Sequence, residues 1–159
     1  MVGNPKIVTR HGDGFTLHIG ADERLVVAGL LTELRDMQTD PDAADAVARL
    51  FPVVHPTDPV EEEEWQRLMR DELVTSRRAA IDTVVEVLQR PGRKIPVSAD
   101  EMHVFVQAVN SIRLVLGTVL EVAEDEDEVP PELLESPEYA LYGYLSFVLD
   151  ASVRVLSGS

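Results

Sequence analysis

"EMHVFVQAVNSIRLVLGTVL", Glu101–Leu120, decides the fold. Met102, Val104, Phe105, Val106, Val109, Ile112, Leu114, Val115, Leu116, Val119 and Leu120 cover almost the whole circumference of a helix. A helix that is apolar all round belongs at the centre of a protein, with other helices packed about it. Ser98, three residues before Glu101, gives this helix a capping-box start. Three residues break the apolar surface. Asn110, Arg113 and Gly117 fall at i, i+3 and i+7, on one line. A buried arginine must find a carboxylate or carbonyls, because an unpaired buried charge is costly. A mid-helix glycine costs about 1 kcal/mol against alanine. Gly117 therefore points to close packing, expected from another backbone.

Outward from this helix, other helices are predicted on both sides. Asp22 caps a helix that runs to about Gln38, with Val27, Leu30, Leu31 and Leu34 on one face. "AADAVARLF", 43–51, reads as a short helix stopped by Pro52. Asp58 and Pro59 start the longest helix, which runs to about Gln89. "RPGRKIP" breaks it. The central helix is predicted to reach about Ala123, and the last helix to run from near Pro137 to about Leu156. At the N-terminus, residues 5–20 read as a β-hairpin. Phe15, Leu17 and Ile19 alternate with polar residues, and Gly12-Asp13-Gly14 supplies the turn. The expected fold is mostly α, an antiparallel helical bundle over 22–157 with a short N-terminal β-hairpin. A chain of 159 residues is read as a single domain.

Composition narrows function. There is no cysteine, which excludes disulfides, thiolate metal sites and cysteine nucleophiles in this chain. Net charge is −15, from 14 basic and 29 acidic residues. That field opposes nucleic acid and anionic membranes. No apolar run is expected to reach the roughly 20 residues of a membrane helix, and the first residues lack the apolar core of a signal peptide. The expected location is cytoplasmic. No membrane contact and no cofactor are expected, and independent nucleic-acid binding is expected to be weak or absent.

The acids fall in two runs. Glu61–Glu64 stand in the first turn of the long helix, where the dipole favours anions, and adjacent positions point about 100° apart. They read as a helix start. From Glu121 to Glu138 the chain holds nine acids and no base. Residues 124–136 are read as an acidic loop, solvated or docking on a basic partner; "EDEDE" lacks the glycine of an EF-hand loop. The four histidines show no metal-ligand spacing, and no phosphate-cradling or nucleophile motif is present. The expectation is a protein that is not an enzyme.

Candidate site residues come from polar positions that interrupt apolar faces. Arg77 sits beside the stripe of Leu73, Ile81 and Val84. Arg113 and Asn110 are expected to face Asp82, Glu72 or Asp71 across two helices, with Arg77 nearby. That cluster is either a structural network or a ligand or partner site. Tyr139, Tyr142, Tyr144 and Phe147 on the last helix are a candidate interface, including a homodimer, with core packing as the alternative. Arg90, Arg93 and Lys94 are the candidate touch on nucleic acid.

Four stretches together carry a resemblance: "RLFPVVHPTDP" (49–59), "RLMRDELVTSRRAAIDTV" (67–84), "IRLVLGTVL" (112–120) and "ALYGYLSFV" (140–148). In order and spacing they resemble the actinobacterial domain-of-unknown-function family numbered twenty-seventeen. The resemblance implies a cytoplasmic actinobacterial protein and no catalytic residues. It implies gene neighbours for the adaptor of the Clp protease and a sulfur-carrier cysteine-synthesis cluster. It also implies a role as transcription regulator in oxidative stress, exerted with an alternative sigma factor. The leading expectation is a non-enzymatic regulator acting through protein contact with a sigma factor or polymerase. The alternatives are an adaptor or accessory factor in Clp-type proteolysis, and a small-molecule sensor or enzyme using the Arg113 cluster.

Overall fold

A computed structural model describes residues 6–51, 54–120 and 136–158. The acidic loop at 124–136 therefore lies outside the described residues, apart from Ser136. Four helices and a small antiparallel sheet are present among the described residues. They are β1 (Val8–His11), β2 (Gly14–Leu17), α1 (Ala21–Met37), α2 (Pro59–Leu88), β3 (Ile95–Val97), α3 (Ala99–Val119) and α4 (Pro137–Leu156).

The hairpin forms as its sequence dictates. Gly12 takes a φ of +60°, and the two-residue turn sets His11 opposite Gly14 and Val8 opposite Leu17. The sheet has a third strand that "RPGRKIP", read as a breaker, conceals. β3 pairs antiparallel with β2, with Phe15 opposite Val97 and Leu17 opposite Ile95. Ile95 and Val97 are buried while Pro96 is exposed. Pro96 is tolerated because β3 is an edge strand, where a missing N–H is not needed by a neighbour. Gly14 allows the close approach: a Cβ there would stand 2.6 Å from the Val97 carbonyl oxygen.

Helix starts follow the local chemistry. Asp58 accepts from the Glu61 N–H at 3.1 Å, with Pro59 in the first turn of α2. Ser98 and Glu101 form a complete capping box at α3. α1 departs from expectation. Its N-cap is Gly20, without a side-chain cap, and Asp22 lies inside the first turn with Glu23. The helix expected at 43–51 is instead two short 3-10 turns, Pro41–Ala43 and Ala48–Leu50. Val47 and Leu50, three residues apart, are both buried. The three-residue period of a 3-10 turn puts such a pair on one side.

α3 is central. It packs on α4, α2, α1, β2 and the Ala48–Leu50 turn. Phe105, Met102 and Val109 lie in its buried face with Leu31, Val84 and Leu145 from the neighbouring helices. At 21 residues and mean hydropathy 1.3, Ala99–Val119 does have the length and composition to cross a membrane. That corrects the expectation from the sequence; 39% of its most apolar stretch is buried within the bundle. α2, at 30 residues, spans about 45 Å. It buries no side chain fully before Ile81. Its first half lies along the edge of the bundle, with Val60 75% and Leu68 66% exposed.

Candidate functional site

The polar cluster predicted between the long helices is divided. Asp82 pairs with Arg35 of α1 at 2.7 Å, on the surface. It does not meet Arg113. The cause is direct: α1 packs on α2 and presents its own cation to Asp82. Asp71 and Glu72 are exposed, and Asp71 borders a shallow depression beside Arg70 and Thr39. Arg113 donates from Nη2 to Asn110 Oδ1 at 3.2 Å, one turn back on its own helix. Its buried Nε has no hydrogen-bond acceptor among the described residues.

Arg77 and Asn110 do come together, in a cavity of about 330 Å³ between α1, α2, α3 and the Ala48–Leu50 turn. Leu34, Leu50, Leu73, Ile81 and Leu114 form its apolar walls, and no Asp or Glu lines it among the described residues. The Arg77 guanidinium stands 5.0 Å from the centre of the Phe51 ring, which also carries Arg70 at 3.9 Å. Both contacts are within cation–π range. Nη1 of Arg77 is buried without a hydrogen-bond acceptor. Burial pushes the guanidinium pKa below its ordinary value, since low dielectric disfavours the charged form.

Gln38 is the residue that sequence reasoning missed. It follows directly on α1, lines the same cavity and is only 4% exposed. Neither its Nε2 nor its Oε1 has a partner. A helix-ending glutamine before "TDPD" gives no local sign of burial. Arg49 borders the cavity as well, and Gly117 is the reason it can. A Cβ on Gly117 would stand 3.1 Å from Arg49 Nη1 and 3.2 Å from the Tyr142 ring. The close approach at Gly117 is thus from two side chains rather than from a backbone.

The three tyrosines are half-buried. Tyr139 and Tyr142 lie 6.0 Å apart with rings tilted by 34°. Tyr144 packs on the core, and its phenol pKa is raised by burial first and by Glu23 second. Phe147 alone of the four aromatic positions is exposed. The basic stretch also divides. Arg90 is bound to Glu101 through both terminal nitrogens, at 3.2 and 2.5 Å, and to the Pro96 carbonyl at 2.8 Å. It fastens the end of α2 to β3 and α3. Arg93 and Lys94 remain exposed.

Other arginines are held in the same way. Arg24 donates to the Ile19 and Arg90 carbonyls, and Arg10 stacks on Phe15 and donates to the Val155 carbonyl. Glu62 is the acid of the 61–64 run with a structural task. It accepts from the Val54 and His55 N–H groups and from Gln66. Those bonds, the Gln66 one foremost, hold its carboxyl below the usual range. Among the described residues no three His, Asp or Glu converge as a metal site.

Fold and site thus define a small helical bundle with an edge sheet, a net acidic charge and a cavity between the helices lined by Arg77, Gln38 and Asn110. The family described as Domain of unknown function (DUF2017) matches residues 5–156, and the chain belongs to it. No curated protein and no solved structure matches the chain.

Proposed function

We propose that this chain is a cytoplasmic, non-enzymatic regulatory protein that works by contact with a basic protein surface. The first half of α2 carries the reading. Val60 and Leu68 stand largely exposed there among Glu61, Glu63, Glu64, Asp71 and Glu72, which are exposed too. An acidic face with apolar side chains set in it suits a protein partner of opposite charge. Arg24, Arg35 and Arg90 are engaged by internal acceptors, and the exposed cations, Arg93 and Lys94 among them, stand in a chain of net charge −15 whose field opposes phosphate.

The family resemblance supplies the direction: an actinobacterial regulator of the oxidative-stress response, with a sigma factor or its polymerase as the basic partner. The test is titration of the purified protein with sigma-bearing polymerase at rising salt. Binding should weaken with salt and should fall about tenfold or more in an E61Q/E64Q/L68A variant, the loss of one hot-spot residue with steering charges. Unaltered binding by that variant would remove this face from the reading.

A further inference from the structure

We propose that the cavity between α1, α2 and α3 binds a small organic acid: one carboxylate, a neighbouring amide or hydroxyl, and an apolar remainder. The proposal stands apart from the protein-contact reading and uses a different part of the molecule. The cavity holds about 330 Å³, within the range of small-molecule sites. Its polar groups are of the kinds such a ligand would meet. Arg77 brings a cationic nitrogen, Nη1, that is buried without an acceptor. Gln38 brings an amide whose donor and acceptor are both unpartnered at 4% exposure. Buried polar groups in folded proteins are nearly always satisfied, so both atoms at one cavity mark missing partners.

Charge sets the class of ligand. In a chain of net charge −15, Arg77 brings a cation to a cavity whose described lining residues include no acid. A neutral ligand would leave the Arg77 nitrogen without a charged acceptor. A dianionic phosphate fits poorly, because Gln38 is the C-cap of α1, the negative end of its dipole. The cavity also borders the middle of α2 and α3, where backbone N–H groups are bonded within the helix. A monoanion held by a guanidinium, with a neutral hydrogen-bonding group at Gln38, meets both conditions. Leu34, Leu50, Leu73 and Ile81 would cover its apolar part.

Matched probes test this. N-acetyl-leucine, isocaproate and benzoate are each titrated into the full chain beside their neutral primary amides and inorganic phosphate, and amide-proton shifts are followed. At least one carboxylate should bind with Kd under about 10 mM, as fits ligands of this size. Its own amide should bind about tenfold more weakly, the worth of one charge-assisted hydrogen bond. Arg77→Met should weaken the carboxylate by the same factor, and shifts should centre on 34–38, 73–81 and 107–114. Gln38→Leu supplies a second variant if Arg77→Met fails to fold, and it should weaken N-acetyl-leucine more than isocaproate. Equal binding of acid and amide, binding indifferent to both variants, phosphate bound in preference, or no binding by any carboxylate would each overturn the proposal.

Discussion

Arg77 sits where two opposing effects can be weighed. Its guanidinium gains from the Phe51 ring at 5.0 Å, about 0.5–1 kcal/mol for a partly exposed pair. Against this, Nη1 is buried with no acceptor. Removing a charge that lacks its partner is often neutral or stabilising. Arg77→Met should therefore leave the urea midpoint unchanged or raised; a loss beyond about 2 kcal/mol would show that a strong internal partner exists. Gly14 is the reverse case. A Cβ there meets the Val97 carbonyl oxygen at 2.6 Å, and that oxygen belongs to backbone and cannot swing away. Gly14→Ala should cost about 1–3 kcal/mol, the range for overpacking, in equilibrium unfolding. A neutral Gly14→Ala would mean that β3 does not approach β2 so closely.

Among the elements, the junction of α2, β3 and α3 rests on Glu101. This carboxylate completes the capping box and takes both terminal nitrogens of Arg90. The Arg90 hydrogen bond, then the Ser98 N–H, hold its pKa below the usual value. A carboxyl depressed in the folded state stabilises at pH above its unfolded value, about 4.3, and that contribution disappears as pH falls through the folded value. Wild-type stability should thus drop between about pH 5 and pH 3, and Glu101→Gln should be less stable at pH 7 with a flatter profile there. Urea midpoints over that range test it, and parallel profiles would contradict it. Asp82, by contrast, is paired at the surface with Arg35, both side chains well exposed at 57% and 41%. Asp82→Asn should change stability by less than about 1 kcal/mol. A larger loss would reinstate the interhelical cluster that the sequence suggests.

The caps at Asp58 and Ser98 and the bounds of α2 and α4 were readable because their causes lie within one turn of chain, whereas α3, expected to reach about Ala123, ends at Val119 with Leu120 as its C-cap. β3 was hidden because a three-residue strand containing Pro96 has no local strand signal; only pairing with β2 makes it one. Gly14 was the available sign, but it reads equally well as turn chemistry. Arg77 was readable as a misfit on an apolar stripe. Its true neighbours, Phe51 and Gln38, come from other segments, so spacing along α2 could not name them.

On the scale of the whole molecule, net charge of −15 and the placement of the arginines act together. Cations at Arg10, Arg24, Arg35 and Arg90 are turned to carbonyls and carboxylates of the same chain, while acids stand out along α2. On the proposed reading such a surface repels nucleic acid and docks on basic protein. The most direct measurement is DNA binding by the purified protein over a salt series, alone and with the cognate sigma-bearing polymerase. The protein alone should not bind DNA even at low salt, where its repulsion is longest in range, and should shift the DNA complex only when polymerase is present. Salt-sensitive binding by the protein alone would contradict this account.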